Sequence, residues 1–386
     1  MAANIWVFLF FYVILYMGSA VSGTFMPVYF QSVGFTQAQI GGLLSFGPLV
    51  AVLAQPVWGS LGDKSRTKNL ILTILLTGSG VSMLLYPLHD SFAYLLLIMC
   101  LFTFFQTPAF AITDAITLEA LGRQAGSYGI IRMGGTFGYA VMSLLFGFYA
   151  KEHIGSMFGT FALVMLAGLL LLLRFPKVKG HQYAGRKMQI WQLFANRRLV
   201  LYLGFCFAIN LTLGYYYAFF PLFFKGLGAD NGLLGWSAAI SAVSEVPFLL
   251  LSGKIFSRVR IPYILLGAAA ATALRWLLFS VLHSPYAILP VQALHGLIFI
   301  VISVTMSVFI NKEVPGELKA SGQTLNGLIN LGIARMIGSF AGGIASEHFG
   351  MQKLFLYSSV ITVASMLLFA LVAFRRELRI DTGISS

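Results

Sequence analysis

Long apolar runs broken by short polar turns recur twelve times along the chain. They fall near residues 5–30, 37–61, 69–87, 92–120, 127–150, 155–174, 199–224, 231–256, 262–282, 286–310, 321–345 and 351–374. Each approaches or exceeds the roughly twenty residues that a helix needs to cross a bilayer. The pattern therefore predicts an all-α membrane protein with twelve transmembrane helices. The first run, from Ile5 to about Tyr29, is too long for a signal-peptide core and has no basic leader, so it reads as span 1. The longest polar segment follows six spans. It predicts an N-terminal six-helix bundle at 1–175, a cytoplasmic basic linker at 176–198, a C-terminal bundle at 199–375 and a cytoplasmic tail at 376–386.

The two halves repeat. With an offset of 194 residues, Pro27 meets Pro221, Phe30 meets Phe224, Gly34 meets Gly228, Gly41 meets Gly235, Gly59 meets Gly253 and Gly138 meets Gly332. Two parallel six-helix halves, each with inverted internal repeats, form the plan of many secondary transporters.

Composition agrees with a lipid environment. The chain is 58% hydrophobic and only 10% charged, where soluble domains carry about 25% charged residues. Its formal charge of +13 would suggest nucleic acid in a soluble protein, but the basic residues are confined to short loops. Nineteen Lys and Arg fall in the loops after even-numbered spans and in the tail, among them Lys64, Arg66, Lys68, Arg123, Arg186, Lys187 and Arg258. The opposite side holds only Lys151, Lys225 and Lys353. The positive-inside rule then puts both termini in the cytoplasm, and nucleic acid is not an expected partner. Cys100 and Cys206 lie inside apolar runs without metal-ligand spacing, so no metal is expected. No catalytic triad or phosphate loop is visible, and an enzyme is not expected.

Six ionisable residues interrupt the apolar runs: Asp114, Arg132, Glu245, Arg275, His295 and Arg335. Such groups cost several kcal/mol at mid-membrane unless paired or facing water, which makes them functional candidates. Asp114 and Arg132 each lie nine residues from Arg123 at the turn of a hairpin, about 13 Å in depth at 1.5 Å per residue. Arg275 and His295 likewise flank Pro285 by ten residues, and Glu245 sits in mid-span 8. Five groups thus converge on one level, where transporter sites lie. Buried ion pairs that fix helix packing would use the same residues. Arg335 is an additional charge partner.

Gly59-Ser-Leu-Gly-Asp63-Lys-Ser-Arg66-Thr-Lys68, between spans 2 and 3, resembles the loop signature of the major facilitator superfamily. The resemblance implies that Gly59, Asp63 and Arg66 form a cytoplasmic gate, the Asp capping a helix end. The counterpart at Gly253 to Arg258 lacks the Asp. The set Asp114, Arg132, Glu245, Arg275 and His295 is similar in spacing to the lactose permease branch. The segments Tyr128-Gly-Ile-Ile-Arg132, Ser244-Glu245-Val-Pro247, Leu274-Arg275-Trp276 and Gln292-Ala-Leu-His295-Gly296 resemble the phenylpropionate permeases and nucleoside–proton symporters.

That resemblance implies proton-coupled symport of a small organic solute (sugar, nucleoside or aromatic carboxylate) by alternating access, in a monomer with no cofactor beyond the proton gradient. Asp114, Arg132, Tyr139 and Glu245 would bind the solute. Glu245, Arg275, His295 and Asp114 would couple protons. Two positions depart from the lactose permease pattern: Ile298 stands in place of a carboxylate, and Phe248 in place of a polar amide. Three arginines against two acids make an anionic solute as plausible as a sugar. The alternative is a proton-driven efflux antiporter of drugs or metabolites. Exporters often carry a glycine–proline motif in span 5, and no proline lies between Arg132 and Tyr149.

Overall fold

The computed structural model describes residues 5–122, 128–151, 153–179, 193–315 and 318–381. Much of the basic linker (180–192, with Arg186 and Lys187), the turn residue Arg123 and the last five residues of the tail lie outside the described residues.

Among the described residues, twelve helices are long and apolar enough to cross a membrane. They are span 1 (Ile5–Ser32), 2 (Gln37–Lys64), 3 (Lys68–Leu88), 4 (Phe92–Leu121), 5 (Tyr128–Tyr149), 6 (Ile154–Leu172), 7 (Arg197–Gly226), 8 (Asn231–Arg258), 9 (Ile261–Val281), 10 (Pro285–Glu313), 11 (Ser321–Phe349) and 12 (Met351–Ala373). Their outer faces expose large apolar side chains such as Leu163, Leu170 and Leu368, as lipid contact requires. Local signals set the helix starts. Thr36 and Gln39 form a capping box before span 2, Thr67 caps span 3, Ser91 caps span 4 and Asn196 caps span 7.

Three C-terminal spans are irregular where the ionisable residues sit. Span 8 breaks into Asn231–Val243 and Val246–Arg258, with Glu245 at the junction and Pro247 just after it. A proline lacks the N–H that would continue the ladder. Span 10 tightens into a 3-10 stretch, Gln292–Leu297, beyond Pro290. Span 11 widens into a π-helical stretch, Gly327–Ile333, just before Arg335. A Cβ added to Gly296 would meet the Ser244 carbonyl oxygen at 1.8 Å. The absent side chain is what lets span 10 cross span 8 at its break, and it brings His295 to Glu245.

The halves close on each other at the face opposite the basic loops. There span 2 packs on span 11 and span 5 on span 8. Cβ atoms added at Gly41 and Gly235 would lie 2.6 Å from the Ser339 oxygen and 2.2 Å from the Ser143 oxygen. Small residues let backbones approach this closely. Polar clasps line the same seam: Lys151 Nζ to Asp230 Oδ2 at 2.8 Å, Asn231 Nδ2 to the Ala150 oxygen at 2.6 Å, and the Ala38 N–H to Glu347 Oε1 at 2.9 Å. The hydrogen bond from Lys151, with backbone N–H groups of Leu233 and Gly232, holds the half-exposed Asp230 carboxyl below its ordinary range. Among the described residues, the ion pairs at the basic face, Lys68–Glu119 and Arg198–Glu313, each stay within one half.

The 194-residue correspondence relates Gly41 to Gly235 as packing positions, but it fails for Gly138 and Gly332. Gly138 packs on the Val13 backbone of span 1, whereas Gly332 lies in the π-helical stretch and faces Val52 of span 2. The irregular turn shifts the register of span 11. Gly235→Val overpacks the glycine seam, which typically costs about 1–3 kcal/mol, so the closed-to-open ratio falls about 5- to 150-fold. Spin labels at the exposed positions Tyr149 and Trp236 should report longer distances; an unchanged distribution would refute the seam.

Candidate functional site

A cavity of about 260 Å³ lies between the halves and is lined by residues of spans 1, 5, 7, 8 and 10. Span 5 presents Arg132, Thr136 and Tyr139 along one helical face, at i, i+4 and i+7. The other half contributes Tyr216, Tyr217, Glu245, His295 and Phe299. The two charged residues therefore face one space from opposite halves. Tyr139 is fixed by a 3.0 Å hydrogen bond with Thr24 Oγ1, and the Arg132 guanidinium stacks 4.4 Å over the Tyr16 ring.

The C-terminal groups form a chain. Arg275 is fully buried. It donates to His295 Nδ1 at 2.9 Å, to the Tyr216 hydroxyl at 2.7 Å and to Gln292 Oε1. Its guanidinium lies 4.3 Å from the centroid of the Tyr216 ring. His295 Nε2 lies 3.5 Å from Glu245 Oε1 and 3.4 Å from the Tyr217 hydroxyl. A guanidinium can only donate, so His295 Nδ1 accepts and the ring proton sits on Nε2, facing Glu245. His295 is therefore neutral so long as Arg275 holds it, with Nε2 hydrogen-bonded to the Tyr217 hydroxyl and the Glu245 carboxylate beside it at 3.5 Å.

Glu245, His295 and Arg275 are thus brought together, but Arg275 stands behind His295 and does not line the cavity. Asp114 is placed apart. It accepts a hydrogen bond from Tyr12 and forms no ion pair with Arg132 among the described residues. Tyr12 and Tyr16 stack one helical turn apart on span 1, with Asp114 at one ring and Arg132 over the other. Arg132 lines the central cavity and Asp114 does not, so the two are not brought together there. In the loop motif, Gly59 lies within span 2 and Asp63 makes no side-chain hydrogen bond or ion pair among the described residues. Arg66 is exposed. Lys68 is buried against Glu119 at 2.7 Å, and Asn69 clasps Pro176 and Val178 after span 6.

The model of the MFS_1 like family matches residues 4–357. The chain belongs to the MFS_1 like family. It is a multi-pass membrane transporter of the major facilitator fold. It is 25% identical over 380 residues to the maltose permease of Geobacillus stearothermophilus, covering 97% of this chain and 96% of that protein. It is 24% identical over 287 residues to a probable 3-phenylpropionic acid transporter of Escherichia coli (strain K12), covering 71% and 74%. A solved structure of the nucleoside transporter NupG superposes with a TM-score of 0.85 at 19% identity, covering 95% of this chain and 98% of that one. That last likeness concerns the fold.

Sequence reasoning missed several members of this transporter's site. Gln292 is a buried hub that accepts from Arg275, Tyr216 and Ser241 and donates to Ser237. Its position three residues before His295, in a run that is otherwise apolar, was the available signal. Tyr12, Tyr16, Tyr216 and Tyr217 carried no such signal in a chain so rich in aromatics.

Proposed function

We propose that this transporter is a proton-coupled symporter that brings a small organic solute into the cell. The observation that carries the reading is that Arg132 and Glu245 line one cavity from opposite halves, with Glu245 next to His295. Solute bridging the halves at mid-membrane would favour the rocking that defines alternating access. The solute classes that fit are sugars, nucleosides and aromatic carboxylates. Aromatic walls from Tyr16, Tyr139, Tyr217 and Phe299 suit a flat ring, stacked as aromatic pairs are. Arg132 offers a planar fork of donors to hydroxyls or a carboxylate.

Both termini would lie in the cytoplasm, on the side of the basic loops. The closed seam is then the external one, and the conformation is inward-facing. No cofactor is invoked beyond the proton gradient, and the functional unit would be one chain. The carrier of the proton would be Glu245, since His295 Nδ1 is committed as an acceptor from Arg275.

Uptake of radiolabelled maltose, uridine and 3-phenylpropanoate into proteoliposomes tests the reading. Accumulation of at least one should rise several-fold when an inward proton gradient is imposed. Uptake that ignores the gradient would remove symport, and export driven by the opposite gradient would favour an antiporter.

A further inference from the structure

A second cavity, of about 310 Å³, lies beside the central one and is lined by spans 1, 2, 4, 7 and 11. Ser19, Gly23 and Tyr217 line both cavities, so the two adjoin. The central site uses none of the charge in the second cavity, which comes from Arg335 of span 11.

The surroundings of Arg335 are incomplete. Its Nε makes a long hydrogen bond, 3.4 Å, to Asn210 Oδ1, and its guanidinium packs 4.9 Å and 4.8 Å from the Tyr217 and Phe299 ring centroids. Nη2 is buried and has no hydrogen-bond partner among the described residues. No carboxylate lies within ion-pair distance among the described residues. A cation at mid-membrane costs several kcal/mol unless it is paired or wet, and a buried donor left unmade carries the desolvation penalty in full. Arg275 differs, because His295, Tyr216 and Gln292 surround it. Arg335 lacks such a shell, and the space it borders has room for one.

The remaining lining indicates what would fill that space. Thr103, Gln106 and Thr107 share one face of span 4, at i, i+3 and i+4. None of the three makes a side-chain hydrogen bond among the described residues, unlike Ser22 and Ser339, which donate to backbone carbonyls. Free hydroxyl and amide donors thus line the same cavity as an unpaired guanidinium. The rest of the wall is apolar, with Met26, Pro27, Leu44, Met99 and Phe102. A halide would leave most of 310 Å³ empty, and a phosphate would find one cation for two charges.

We propose that this side cavity is a binding site for an organic monocarboxylate. The carboxylate pairs with Arg335 and accepts from Gln106 and Thr107, and the hydrocarbon body lies against the methionine and phenylalanine wall. A carboxylate is the planar, singly charged group that matches a guanidinium fork. The ligand enters from the central cavity past Ser19, Gly23 and Tyr217. The site needs no proton coupling, and a benzoate shift that survives Arg335→Gln would place carboxylate binding in the central cavity instead.

The test uses purified full-length protein and the thermal-unfolding midpoint, which a ligand raises by mass action. Sodium benzoate is titrated at fixed sodium chloride, with benzamide as the neutral match. Benzoate should raise the midpoint saturably and benzamide should not. Arg335→Gln should abolish the benzoate shift, and the Gln106→Leu/Thr107→Val double variant should weaken apparent affinity about tenfold or more, the cost of lost charge-assisted hydrogen bonds. The proposal is overturned if wild-type protein shows no benzoate shift, if benzamide shifts it equally, or if either variant keeps wild-type affinity. Should Arg335→Gln fail to fold, Arg335→Lys retains the charge without the fork. It should lose about tenfold in benzoate affinity, and undiminished affinity overturns the proposal.

Discussion

Arg132→Ala should lower solute uptake by about 100-fold while leaving the thermal-unfolding midpoint of the unliganded protein within a few degrees of wild type. The size follows from what the side chain offers. Truncating one member of a buried charged hydrogen-bonding set costs about 2–5 kcal/mol of binding, and 2.7 kcal/mol is a hundredfold. The fold should survive because Arg132 holds no ion pair among the described residues and its packing contact is the face of Tyr16. Arg132→Lys separates charge from shape. It keeps the cation but loses the fork, so uptake should stay at least tenfold below wild type. Wild-type uptake by Arg132→Ala in proteoliposomes would reduce the residue to a packing element. Loss of uptake together with a collapsed midpoint would assign it to the fold instead.

The same residue shows where sequence reasoning reached its limit. Spacing from the turn at Arg123 gives the depth of Asp114 and Arg132, because rise per residue is fixed. It does not give the direction in which each faces. That depends on helix rotation, which turns Asp114 to the Tyr12 hydroxyl and Arg132 to the Tyr16 ring. The other hairpin behaved differently. Arg275 and His295, on the adjacent spans 9 and 10, share a depth and touch at 2.9 Å, while the bare Gly296 brings span 10 against span 8 and so His295 to Glu245. Pro247 and Pro290 were visible as breakers. The π-helical turn before Arg335 was not, since Gly-Leu-Ile-Asn-Leu-Gly-Ile reads as ordinary helix. The twelve spans were legible because lipid demands long apolar helices whatever their packing. The repeat was legible at Gly41 and Gly235, where close approach leaves glycine little substitute, and misleading at Gly332, where a shifted register gives another contact.

Glu245→Gln should abolish proton-driven accumulation, bringing the inside-to-outside solute ratio to about one, while solute exchange between equal concentrations stays within a few-fold of wild type. Glu245 sits at the break of span 8, where its backbone is freed from regular helix and its side chain reaches both the cavity and His295. The ring nitrogen of His295 lies 3.5 Å from it, and Arg275 fixes the His295 tautomer from behind. A carboxylate can take a proton as the cavity changes the side to which it opens. Gln has nearly the same shape and keeps the polar contact, but the amide cannot gain or lose a proton in this range. The variant is thereby held in one charge state through the whole cycle. Solute can still cross with the rocking halves, but the gradient has nothing to act on. The pH dependence of exchange should also flatten, because the group that titrates in wild type is gone. Counterflow of labelled solute and gradient-driven uptake, measured side by side from pH 5 to 9, separate the two properties. Accumulation against a gradient in Glu245→Gln would move proton duty to another residue, and Asp114, held by Tyr12 outside the cavity, would be next to replace.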